Sequence, residues 1–190
     1  FYVRSNHLKT QPHHWAHCLN AESIHFCANL ACSVHRPLCI STAKAEFEMT
    51  SYLPESPLTN QDAMYLRDAI RMSQVAKQRG NRPFGAVVIA KQGTVLAEAY
   101  CNTTETGDCT GHAETTAVRM LSPKISRDEL ADATLYSSAE PCVMCAGAIF
   151  WSGIQRVVFG IDAERLRIFR GDRLEQKDAD LSCRDVFRAS

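Results

Sequence analysis

Five residues in this 190-residue chain have the types and spacing to act on a water molecule. They are His112 and Glu114, two apart in H-A-E, and Pro141, Cys142 and Cys145 in P-C-V-M-C, about thirty residues further on. One imidazole and two thiolates suit a tetrahedral zinc site that keeps its fourth position for water. Zinc lowers the pKa of such a water from about 15.7 toward ~7, and a carboxylate beside it can take and return protons. The chemistry implied is hydrolysis, by adding water to a carbon that neutral water attacks too slowly. Alone, C-x-x-C suits half of a structural zinc ribbon or a redox pair, and H-x-E says little. Both halves in this order, with Pro141 ahead of the first cysteine, narrow the choice. His112 is also the only histidine after His35.

The spacing calls for helix starts. On a period of about 3.6 residues, His112 and Glu114 stand roughly 200° apart, so both reach one pocket only from the first turn of a helix, expected over 112–121. Cys142 and Cys145, three apart, share one helix face. Pro141 sits at the beginning of that helix, where its fixed φ suits and its missing N–H costs nothing. The positive N-terminal end of the helix favours the deprotonated, ligating form of both cysteines.

Around these halves, strand and helix patterns alternate. Thr59 or Asn60 can cap a helix to about Gln78, with Ala63, Leu66, Ile70, Ser73 and Ala76 along one face and Gly80 closing it. Residues 84–90 and 94–100 are β-rich and joined by Lys91-Gln92-Gly93, which predicts a hairpin. A strand over 134–138, a helix over 142–151 and a strand over 156–161 follow. This alternation argues an α/β fold, a sheet with helices on both faces. The stretch from Ala163 is charged and partly helical.

A chain with 45% hydrophobic and 22% charged residues has material for one ordinary core. Lys+Arg and Asp+Glu are both 21, so no global positive field favours a polyanion. No run of 18 apolar residues points to a membrane span. Of nine cysteines only Cys142 and Cys145 have ligand spacing, which argues a reduced, cytoplasmic protein rather than a disulfide scaffold. Residues 1–58 hold six of the seven histidines and read as a disordered leader or an extension; the chain opens on Phe1, and its first methionine is Met49. The cluster from His13 to Cys39 follows no zinc-ligand spacing. Residues 59–190 are expected to form the working domain.

H-A-E and P-C-V-M-C lie within longer similar segments: R-P-F-G-A-V-V-I (82–89), G-H-A-E-T-T-A-V-R (111–119) and T-L-Y-S-S-A-E-P-C-V-M-C-A-G-A-I-F-W (134–151). Over about residues 60–162 the chain resembles the cytidine-deaminase-like superfamily, and within it the purine branch of guanine deaminases and tRNA-adenosine deaminases. The resemblance implies a three-layer α/β/α fold around a central mixed sheet. It implies one zinc per chain on His112, Cys142 and Cys145, with an activated water as fourth ligand and Glu114 as the catalytic proton carrier. Carried over by position, Phe84 lines the base pocket, Asn102 hydrogen-bonds the base, the backbone N–H of Ala113 contacts a ring carbonyl, Glu140 and Ser138 border the same pocket, and Trp151 belongs to the substrate site. For Phe84 and Trp151, ordinary core packing is the competing reading.

Pro83-Phe84-Gly85 and Ile149-Phe150-Trp151 look more like free-guanine deaminases. The resemblance therefore implies hydrolysis of guanine to xanthine and ammonia, with a tRNA-adenosine deaminase as the alternative and a non-catalytic zinc-binding subunit as the second. It implies an aminopurine or nucleoside as partner ahead of nucleic acid, a homodimer, and no membrane. Ala139 stands where guanine deaminases often have cysteine. The C-terminal segment that completes the pocket in those enzymes has no clear counterpart before Ser190, so the domain reads as truncated there.

Overall fold

The computed structural model describes residues 58–170 and 181–189. The expected leader, with its histidine and cysteine cluster, lies outside the described residues except for Leu58. Helix α1 (Asn60–Gln78) starts at a capping box: the Thr59 hydroxyl accepts from the Asp62 N–H, and the Asp62 carboxylate accepts from the Thr59 N–H. Its inward face differs from the expected one. Leu66 and Ala76 are buried, but Asp62, Ala69 and Met72 complete the seam, Ala63 and Ser73 are half-buried, and Ile70 is exposed. The reason is Asp62, which turns inward to pair with Arg156 and Tyr136 and thereby sets the rotation of the helix.

Strands β1 (Gly85–Ile89) and β2 (Val95–Tyr100) form the predicted hairpin, with Gly93 at φ +89° in the turn. Then come α2 (Thr103–Thr106), α3 (Ala113–Leu121), α4 (Arg127–Ala131), β3 (Thr134–Ala139), α5 (Val143–Ser152), β4 (Arg156–Ile161), α6 (Ala163–Arg170) and α7 (Cys183–Arg188). The sheet order is β2-β1-β3-β4. β1 runs antiparallel to β2 and β3, and β3 runs parallel to β4, so the sheet is mixed.

Strand alternation divides the core into two layers. On one face Val87, Ile89, Tyr136 and Val158 meet Ala69 and Met72 of α1. On the other, Val88, Leu135, Val157 and Phe159 meet Ala117 and Leu121 of α3, Ala146 and Ile149 of α5, and Cys183 and Phe187 of α7. This is the expected three-layer α/β/α arrangement. A Cβ on Gly85 would come within 2.3 Å of the Ala69 carbonyl, so the glycine lets α1 lie directly on β1. Among the described residues no helix is long and apolar enough to cross a membrane.

This topology gathers one edge of the sheet. The carboxyl ends of β3 and β4, the start of β1 and the end of β2 lie together, because β1 pairs Gly85 with Tyr100 and β3 pairs Ala139 with Ile161. Phe84, Asn102 and Glu140–Cys142 immediately flank these strand ends.

Candidate metal and active site

His112 is the N-cap of α3 and Cys142 the N-cap of α5, so each helix starts one residue later than expected, and Pro141 precedes the cap. Neither side chain caps its own helix, which leaves the imidazole and the thiol facing each other. The helix starts thus bring two positive ends to one place. Cys142 Sγ lies 3.5 Å from His112 Nδ1 and 3.6 Å from Cys145 Sγ, and Cys145 Sγ lies 3.6 Å from His112 Nδ1. With bonds of about 2.3 Å to sulfur and about 2.1 Å to nitrogen, a tetrahedral zinc spaces its ligands at about 3.6 Å for S···N and about 3.8 Å for S···S. The three donors fit zinc, and they form a potential zinc-binding site.

Glu114, in the first turn of α3, is buried, and its Oε1 accepts a 2.8 Å hydrogen bond from the Ser137 hydroxyl on β3. Its Oε2 lies 3.5 Å from Cys145 Sγ, and the Thr115 hydroxyl lies 3.3 Å from the same sulfur. Ser137 was not anticipated. Strand alternation carries its signal, since Leu135 faces α3 and the residue two further on must share that face.

Burial pushes the Glu114 carboxyl upward against the hydrogen bond from Ser137. The His112 imidazole is raised, first by its hydrogen bond with Cys142. The Cys142 thiol is lowered to about 4, chiefly by its hydrogen bond with Cys145, with the one to His112 adding to this against burial. Cys145, hydrogen-bonded to Cys142 and nearly enclosed, is raised. A divalent cation among these donors would displace the thiol protons and make both thiolates ligands.

A cavity of about 430 Å³ opens above this cluster, with His112, Glu114 and Cys142 at one end and Phe84 in its lining. Ala113, buried, is the first residue of α3. Ser138 lies on the far side of Phe84 in a second recess, where its hydroxyl accepts from the Gly85 N–H. Asn102 does not line the cavity. Its Oδ1 sits against Gly111, where a Cβ would come within 2.2 Å, and its side chain makes no hydrogen bond among the described residues. Trp151 is 74% exposed, edge-on to Phe150 at the end of α5, and does not line the cavity either.

The loop before His112 is held at two points. Asn81 accepts from the Thr104 and Glu105 N–H groups at the start of α2, and Asp108 accepts from Thr110 and pairs with Arg119. The C-terminal stretch also borders the cavity. Leu166 and Arg167 of α6, with Ser182 and Arg184 beside and in α7, form a wall of the cavity, while Cys183 and Phe187 anchor α7 in the core.

Residues 59–161 match a protein-family profile described as the cytidine and deoxycytidylate deaminase zinc-binding region. The chain is similar to a probable cytosine deaminase of Schizosaccharomyces pombe, at 39% identity over 143 residues that cover 73% of this chain and 83% of that protein. It is similar to the guanine deaminase of Bacillus subtilis, at 42% identity over 80 residues, 42% of this chain and 51% of that protein, about half its length. The X-ray structure of guanine deaminase from Bacillus subtilis aligns with a TM-score of 0.53 at 28% identity, covering 65% of this chain and 81% of that one.

Proposed function

Because the chain belongs to the cytidine and deoxycytidylate deaminase family and carries its zinc-binding region, we propose that it hydrolyses the exocyclic amine of a free nucleobase, with guanine first among substrates. In this reading His112, Cys142 and Cys145 hold the zinc and Glu114 moves the protons. The observation that carries the reading is the Glu114 carboxylate, buried beside Cys145 of the three-donor cluster and lining the cavity.

Zinc bound there supplies a Lewis acid that makes water a usable nucleophile at neutral pH. Glu114 would take one proton from the attacking water and deliver it to the ring nitrogen beside the attacked carbon, then take the remaining proton of the added hydroxyl and deliver it to the departing amine. Guanine and water give xanthine and ammonia, with no change of oxidation state. Ser137 fixes Oε1 and thereby orients the carboxylate. Phe84 offers an aromatic face for the base, with the Arg82 guanidinium 5.4 Å from its ring centre.

The cavity of about 430 Å³ lies in the range that accommodates small molecules, roughly 300–1,000 Å³, and has room for a bicyclic base. The balanced charge of the chain supports a small substrate over an RNA strand. A second reading, cytosine as the base, is favoured by the Schizosaccharomyces pombe relative, most of whose length this chain matches.

Ammonia release from guanine, cytosine, their nucleosides and a tRNA anticodon stem-loop tests the proposal. Release from guanine is the expected result, and release from cytosine alone selects the second reading. Activity confined to the stem-loop, or silence across the panel with zinc bound, overturns the free-base proposal.

A further inference from the structure

We propose that Glu140 is a positioning residue: its carboxylate ties both C-terminal helices to the turn that carries Cys142, and so sets the shape of the wall facing the substrate. The inference rests on the deaminase reading for its kinetic readout only.

Glu140 follows the last residue of β3, and its backbone N–H donates to the Ile161 carbonyl at the end of β4, 2.8 Å away. Its position is therefore fixed by the sheet, two residues before Cys142. Its side chain then reaches two further elements. Oε2 accepts from the Ala163 N–H at 2.9 Å, and Oε1 accepts from the Cys183 S–H at 3.4 Å.

Ala163 is the first residue of α6, and its N–H is one of the four helix-start donors with no partner inside the helix. Asp162 takes the Arg165 N–H of the same turn at 2.7 Å, which leaves the Ala163 donor for Glu140. Cys183 is the first residue of α7 and fully buried.

Apolar packing does little for α6. None of its residues is buried, and Ile168 and Phe169 are 71% and 81% exposed. Yet Leu166 and Arg167 face the cavity, as do Ser182 and Arg184 at α7. The α6 side of this wall, with so little apolar burial, takes its position from polar tethers, and a hydrogen bond to a carboxylate is among the stronger of these. Glu140 acts on the substrate through that wall, and the proton chemistry stays with Glu114.

The test compares Glu140→Ala, Glu140→Gln and Ala163→Pro in the full chain, reading KM and kcat for ammonia release, zinc content, and amide hydrogen exchange over residues 163–170. Glu140→Ala should raise KM about tenfold with kcat within about twofold, zinc retained and exchange faster over 163–170. Glu140→Gln keeps an oxygen acceptor and should stay within about threefold in KM, with protection retained. Ala163→Pro removes the same hydrogen bond from the other side, because proline lacks the N–H and suits the first helical position. It should raise KM about fivefold with Glu140 intact.

Unchanged KM and exchange in Glu140→Ala and Ala163→Pro overturn the proposal. So does loss of kcat together with zinc, which places Glu140 in the folding of the ligand turn alone. If the wild-type protein releases no ammonia from any base, the deaminase reading fails, and the exchange data still decide whether Glu140 tethers α6.

Discussion

Asp62, Tyr136 and Arg156 make a polar cluster beneath α1, and Glu114, Cys145, Cys142 and His112 make another on the α3–α5 side of the same sheet. In the first, Asp62 accepts from the Tyr136 hydroxyl at 2.7 Å and from both Arg156 Nη groups, at 2.8 and 3.0 Å, besides the Thr59 cap. Burial pushes its carboxyl up, but Arg156, Thr59 and Tyr136 more than offset this and hold it well below the usual carboxylate range. Burial and the Asp62 carboxylate push the Tyr136 hydroxyl up to about 12. One anion and one cation are thus matched and hydrogen-bonded.

The second cluster gathers a carboxyl, two thiols and an imidazole, and among the described residues no Lys or Arg hydrogen-bonds to any of them. Its donors fit a divalent cation, and it opens to the cavity while the first does not. The contrast shows how two buried polar groupings in one small domain divide into a structural tie and a site: the tie closes on itself, and the site leaves donors facing a space that a substrate can enter.

Chelation should separate the two clusters most strongly. Removing zinc is expected to abolish deamination and to lower the melting temperature by about 5–10 °C, with both restored on adding zinc back. Calorimetry and ammonia release check this, and a protein indifferent to chelation would erase the distinction. Next in size, Arg156→Met strands the buried Asp62 carboxylate and should cost about 3 kcal/mol of stability in urea unfolding. Because Arg156 is remote from the cavity lining, kcat should be unchanged at temperatures where the variant is folded.

The smallest effect is on the acid side. Asp62 has its folded pKa depressed, so its stabilisation is fully present above the unfolded carboxyl value and is lost as pH falls below about 4. Urea midpoints from pH 7 to pH 3 should therefore fall less steeply for Asp62→Asn than for the wild type. Equal slopes would mean that the Arg156 pair is not what lowers this carboxyl.

The sequence made much of the second cluster readable and little of the first. His112 and Cys142 stand within one residue of the expected helix starts, because Gly111 and Pro141 punctuate the pattern and the ligand spacing requires a first turn. The hairpin and the order of strands and helices follow from Gly93 and from the apolar alternation. Asp62 was not legible: its partner Arg156 is 94 residues away, and a count of apolar positions cannot foresee that a carboxylate will be drawn inward and rotate α1 past Ile70.

Ser137 depends on strand adjacency, which fixes what its side chain meets, and so do the contacts of Glu140 with Ala163 and Cys183, although its place at the pocket border follows from the resemblance. Helix α4 carried a usable signal, the Ser126–Glu129 capping box, which went unread. Trp151 and Asn102 entered through resemblance alone, and neither lies in the cavity lining.

The most direct test of the account is ammonia release from guanine by the zinc-loaded protein and its Glu114→Gln variant, measured side by side with zinc content and melting temperature. The variant should keep its zinc and its fold and lose activity by about a thousandfold. A Glu114→Gln protein that deaminates at the wild-type rate would contradict this, because the protons would then be moved by some other group.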